Sequence, residues 1–135
     1  MYEQRRFDRR DSSEPPFNPE RDRIKKILDG DARELNRYAE EKAKHLAAGR
    51  DTERLSTSQV RSILDELHRM SKFDDARLQM MRPRLAYAAG RHKGKVKDMQ
   101  AILDIAIEMT DSSNFHNLRN LVEAIVAYHR YHGGK

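Results

Sequence analysis

Arg77, Arg84 and Arg91 recur every seven residues, and Tyr87 lies three residues after one of them and four before the next. On an α-helix a seven-residue step drifts by only about 20°, so the three guanidinium groups line one ridge with the phenol ring between two of them. Cations flanking an aromatic ring suit single-stranded RNA: the guanidinium groups take phosphates and the ring takes a base. The competing reading makes Tyr87 a half-buried core residue with only its hydroxyl at the surface. Arg82, Lys93, Lys95 and Lys97 crowd the same stretch, and no Asp or Glu falls between Asp75 and Asp98. The whole chain has 27 Lys+Arg against 22 Asp+Glu, a net of +5, so outside this window the charges come close to cancelling. Solvated helix faces usually interleave acids at i,i+4, and this one does not. A surplus confined to one segment is a footprint for a polyanion, most commonly nucleic acid.

Beyond Gly90 the chain reads Arg91-His92-Lys93-Gly94-Lys95-Val96-Lys97, its densest positive charge. The two glycines are expected to bracket a loop from which these side chains fan into solvent. A helix opening near Lys95 would add the positive end of its dipole for a phosphate.

Other chemistry is poorly supplied. The chain has no Cys, which excludes disulfides, thiolate zinc sites and cysteine nucleophiles. Of six His only His129 and His132 stand close, at i and i+3, with no carboxylate at ligand spacing and no HExxH. Such a pair suits a helix C-terminus better than a metal. No phosphate loop, nucleophile elbow or paired carboxylates are present. No catalytic residue, metal or cofactor is expected.

The elements that must hold the basic segment are helical. Residues 1–23 carry Pro15, Pro16 and Pro19, balanced Arg and acids, and almost no aliphatics, so they read as a disordered polyampholyte arm whose removal would cost little stability. Residues 24–135 read as one helical domain. A short helix covers Ile24 to Asp29 and stops at Gly30. Asp31 caps a second, with Glu34 placed for a capping box, and Leu35, Tyr38, Ala39, Ala43, Leu46 and Ala47 form its apolar stripe. Ser56 and Gln59 form an S-x-x-Q box ahead of Val60, Ile63, Leu64, Leu67 and Met70. Ser71-Lys72-Phe73 breaks that helix. In the basic segment Leu78, Met81, Leu85 and Ala89 face inward, and the helix either kinks at Pro83 or restarts with Pro83 in its first turn. Val96, Met99, Leu103 and Ala106 mark the next helix. Ser112 or Ser113 caps the last, which carries Phe115, Leu118, Val122 and Ile125. No segment alternates with the period of a strand, so the fold is all-α, a compact bundle of about five or six helices. The longest aliphatic run, Ala124–Ala127, cannot cross a bilayer, and the N-terminus has no secretory h-region, so a soluble cytoplasmic protein with no membrane partner is expected.

Three blocks, Leu55-Ser56-Thr57-Ser58-Gln59-Val60-Arg61, Arg84-Leu85-Ala86-Tyr87-Ala88-Ala89-Gly90-Arg91 and Glu123 to Gly134, together resemble the small subunit of type III-A CRISPR effector (Csm) complexes. The resemblance covers residues 55 to 134. It implies a helical, non-catalytic subunit, several copies of which stack along the inner groove of the complex beside the backbone subunit, helping to hold target RNA paired with guide RNA. Its partners would then be both RNAs, the backbone and large subunits, and other copies of itself. Arg84 and Arg91 lie inside the family's basic motif. Arg61 falls in a matching block too, although Asp65, four residues on, offers it a structural ion pair. Glu123 and His129 are polar exceptions in a block read mainly as core and subunit contact. The expected RNA-binding set is Arg61, Arg77, Arg84, Tyr87, Arg91, Lys93, Lys95 and Lys97. One rival is a helical DNA-binding transcriptional regulator, with the helices after Ser56 and Phe73 acting as a helix-turn-helix; spread of the cations along a helix and loop argues against it. A second rival is a small hydrolase built on His129 and His132.

Overall fold

Helix boundaries follow the caps in a computed structural model that describes residues 16–50, 53–92 and 94–134. Six helices form: α1 (Arg21–Leu28), α2 (Ala32–Ala47), α3 (Thr57–His68), α4 (Asp75–His92), α5 (Lys95–Glu108) and α6 (Phe115–Tyr131), with no strand among the described residues. At α3 the box closes both ways: Ser56 Oγ accepts from the Gln59 N–H at 3.2 Å, and Gln59 Oε1 accepts from the Ser56 N–H at 2.9 Å. At α2 only half of it forms. The Asp31 carboxylate accepts from the Glu34 N–H at 3.0 Å, but the Glu34 side chain turns away to Arg23 and Arg37. Neither Ser112 nor Ser113 caps α6. Asn114 holds that position without a side-chain bond, and Ser113 instead donates through N–H and Oγ to Asp111.

The helices share one core. Leu118, Leu121, Val122 and Ile125 of α6 are fully buried and meet α2 and α3, while α4 pairs with α5. Between α2 and α3 the chain passes through a loop whose backbone ties distant elements together. The Leu55 N–H donates to the Leu46 carbonyl of α2 at 3.0 Å, and the Glu53 carbonyl accepts from the Lys95 N–H that opens α5 at 2.7 Å. The Leu55 carbonyl accepts from Nε2–H of His129 on α6, also at 2.7 Å.

Residues 16–23, expected within the arm, are instead packed on the body; residues 1–15 lie outside the described residues. Phe17 stacks on His45 with ring centroids 5.0 Å apart, and Lys42 Nζ lies 5.3 Å from the ring centroids of both Phe17 and Tyr38. Tyr38 donates its hydroxyl to the Pro19 carbonyl. α1 starts at Arg21 and buries Ile24, Ile27 and Leu28. Counting aliphatics missed this docking because its anchors are an aromatic ring, a backbone carbonyl and one arginine. Arg23 pairs with Glu34, with Glu20 at 2.8 Å and with Glu41 at 2.9 Å, its guanidinium 4.9 Å over Tyr38.

This network is pH-sensitive. Arg23, with help from Arg37, holds the Glu34 carboxyl below its ordinary range. Burial pushes the Glu20 carboxyl up, but bonds and charges from Arg23 and Lys42 outweigh it and leave that group lowered too. Carboxyls lowered in the folded state contribute stability above their unfolded value and lose it as pH falls through and below that value. Arg23→Ala should therefore cost about 1–3 kcal/mol near neutral pH, because the buried Glu34 loses its main cation and keeps only the more exposed Arg37. Urea titrations should show the gap from the parent closing below the carboxylate range. A variant as stable as the parent at neutral pH would show that the network carries no weight.

Candidate nucleic-acid interface

α4 sorts its side chains as the spacing requires. Leu78, Met81, Leu85 and Ala89 are buried, and the opposite face presents Arg77, Met80, Arg84, Tyr87 and Arg91 at alternating steps of three and four. Tyr87 is 70% exposed and Met80 55% exposed, so Tyr87 is not the half-buried core residue of the competing reading. The helix runs unbroken through Pro83, which sits in its interior rather than opening a new helix. It also continues through Gly90 to His92, so Arg91 stands on the last helical turn rather than in the expected loop. A cation is well placed there against the negative end of the dipole.

The neutralising acid absent from the sequence around these arginines comes from α3. Glu66 meets Arg69 at 2.9 Å, Arg77 at 3.4 Å and Arg84 at 3.8 Å. Arg82 points the other way, to Asp104 of α5 at 3.4 Å. Arg61, Arg91 and Lys97 are exposed and make no ion pair among the described residues, so the Arg61–Asp65 pair does not form.

Lys95 behaves differently from the solvent-facing cation that was expected. It is half-buried, with Nζ 3.3 Å from both ring nitrogens of His45, whose Nε2 lies 2.6 Å from Asp98 Oδ2. Its backbone N–H, at the helix start expected to offer its dipole to a phosphate, is taken by the Glu53 carbonyl. Lys93 lies outside the described residues.

Open grooves flank α4. One, of about 330 Å³, separates α3 from α4 and is largely apolar, lined by Ile63, Met81, Leu85 and Ala88 with Ser62 and Arg84 among its polar members. Another, of about 580 Å³, separates α4 from α5 and is lined by Ala86, Gly90, Gly94 and Lys97. The fold therefore gathers Arg77, Arg84, Tyr87 and Arg91 on one ridge, leaves Arg61 exposed on α3, and sets Lys95 and Lys97 apart on α5. Met80 was missed although it stands to Arg77 as Tyr87 stands to Arg84. Glu66 was missed because no sequence spacing reports a contact between helices.

The two histidines do not form a pair. His129 is buried and donates through Nε2–H to Leu55, while His132 Nε2 lies 3.4 Å from Glu40 of α2. Among the described residues no group of three or more His, Asp or Glu could hold a metal ion. Glu123, the other polar exception in its block, is exposed. No helix among the described residues is long and apolar enough to cross a membrane.

A family model described as Csm2 Type III-A matches residues 29–135, reaching further toward the N-terminus than the blocks from residue 55. No curated protein and no solved structure matches the chain.

His129 carries a prediction of its own. Burial lowers its imidazole below the ordinary value; the bond to Leu55 works against that shift, and the charge of Arg54 adds to it. Nδ1 has no hydrogen-bond partner, so protonation would place an unanswered charge in the core. The unfolded chain binds this proton more readily, so stability is full above the ordinary histidine value and declines as pH falls below it. His129→Leu should cost about 1–3 kcal/mol near neutral pH by stranding the Leu55 carbonyl. It should also flatten the fall in thermal midpoint just below neutrality. An unchanged acid limb in the variant would assign that limb to other groups.

Proposed function

The chain belongs to the Csm2 type III-A family, and we propose that, as a subunit of a type III-A CRISPR complex, it is a non-catalytic RNA-binding assembly subunit. Several copies stack along the guide–target groove, each touching target RNA through the exposed ridge of α4. The observation that carries this reading is the interleaving on that ridge: Arg77, Arg84 and Arg91 alternate with the exposed Met80 and Tyr87. Successive arginines stand about 10.5 Å apart along the axis at 1.5 Å per residue. They meet phosphates, which carry affinity but no sequence information. Met80 and Tyr87 lie between them as apolar surfaces for base faces. Arg61 extends the charge onto α3, and Lys93 and Lys97 add to the field near the α4–α5 junction.

Stacking copies requires a heterologous contact, one surface of a subunit against a different surface of the next. Tyr131, 77% exposed near the end of α6, is a candidate for it on an element away from the ridge. The backbone and large subunits are the remaining protein partners, and the complex is cytoplasmic. A specific DNA reader would concentrate base-reading side chains at the start of one helix, whereas these cations run the length of α4.

With roughly four phosphates neutralised per subunit, the logarithm of affinity for single-stranded RNA should fall against the logarithm of salt with a slope of about −3. Arg84→Glu with Arg91→Glu should weaken binding on every sequence tested and make the slope shallower by about 1.4, two contacts' worth. Helicity should be unchanged, since both side chains are exposed. Tyr87→Ala should cost about 1–3 kcal/mol if a base stacks on the ring. A double reversal that binds RNA like the parent, alone and in the assembled complex, would move the RNA contact off α4.

A further inference from the structure

Glu66 occupies the last turn of α3, where a carboxylate meets the negative end of the helix dipole. Nothing in α3 itself favours a negative charge there. What favours it is the convergence of three guanidinium groups, from Arg69 just beyond α3 and from Arg77 and Arg84 of the neighbouring helix. The pairings are uneven. Arg69 makes a close hydrogen bond at 2.9 Å, and Arg77 a long one at 3.4 Å. Arg84, at 3.8 Å, makes an ion pair alone and keeps two thirds of its side chain in solvent, 66% exposed.

One carboxylate facing three guanidinium groups leaves the quartet with a charge of +2, and most of its N–H donors remain unused. Carboxylate and phosphate oxygens are interchangeable partners for a guanidinium fork. We propose that Glu66 is a built-in counter-anion of the RNA-binding ridge. It holds Arg77 and Arg84 in register while no RNA is present and yields them to a phosphate when RNA docks. Arg69, on the shorter bond, stays with Glu66 throughout. Exposed ion pairs add little to stability, so the two long contacts are released easily. In their place Glu66 sets affinity: its negative charge lies beside the entering phosphate and keeps a lone subunit from gripping any polyanion tightly. The inference rests on the reading of the α4 ridge as an RNA contact.

The test compares the full-length parent, Glu66→Gln and Arg84→Glu with Arg91→Glu, titrating each against a short fluorescent oligouridylate and a mixed-sequence strand over a salt series. Glutamine keeps the shape of the side chain and removes its charge, and thermal midpoints check that both variants fold. Glu66→Gln should bind about 3- to 10-fold more tightly at low salt, the size expected of one surface charge near a phosphate. Its slope should steepen by about 0.7 if one more phosphate is neutralised, and the gain should shrink as salt screens it. A Glu66 that only braced the helices would leave affinity unchanged or weaken it when its charge is removed. Equal or weaker binding by Glu66→Gln, with the double reversal still impaired, would overturn the counter-anion and leave the ridge standing. A double reversal that binds like the parent would remove the ridge, and the counter-anion with it.

Discussion

The carbonyl of Glu53 accepts the first N–H of α5, and two residues later the carbonyl of Leu55 accepts the imidazole N–H of His129. Leu55 is buried and its carbonyl needs a partner, and both carbonyls find theirs on helices far away in sequence. The arrangement dictates side chains at both ends. Gly94 has φ 64°, and a Cβ there would run into the Glu53 backbone. A Cβ on Gly134 would overlap the His129 ring, while its N–H donates to the His129 carbonyl at 2.9 Å. With the start of α5 pinned this way, α4 is directed back along α5, and its arginine ridge is turned outward. The loop between α2 and α3 thus anchors the start of α5, the helix against which α4 packs.

Electrostatics on that surface is decided between helices. Read along the chain, residues 76–97 hold seven cations and no acid. In three dimensions Arg82 goes to Asp104, Lys95 turns to His45, and Arg77 and Arg84 share Glu66. Of the window's described cations, Arg91 and Lys97 are the ones left without an ion pair among the described residues. Surface pairs in high dielectric are weak and salt-screened, so sharing Glu66 does not remove Arg77 and Arg84 from the ridge. It restrains where they point.

Legibility in the sequence followed the range of the interaction. The Ser56–Gln59 box, the inward stripe of α4 and the helical class were readable because each depends on residues within two turns. Gly90 misled for the same reason. A glycine in a basic stretch reads as a turn, yet α4 passes through it because Leu85 and Ala89 are already committed to the core. Pro83 was readable only as two alternatives, and the outward position of its side chain let the helix continue. The docking of residues 16–23, the partner of His129 and the position of Glu66 depend on contacts across long separations that no local pattern encodes. Even so, the one ridge residue that was missed was visible: the three–four alternation that singled out Tyr87 also selects Met80.

The segment before the family match shows how far such long-range contacts reach. The match begins at residue 29, immediately after α1 ends, yet Ile24, Ile27 and Leu28 of α1 are part of the same core as α6. Phe17, further upstream, stacks on His45, and His45 in turn meets both Lys95 and Asp98 at the start of α5. One imidazole therefore touches the N-terminal segment, α2 and the basic α4–α5 junction. The anchoring of residues 16–20 and the direction of Lys95 share that ring as a common contact, so the segment outside the matched span packs next to the start of the basic surface.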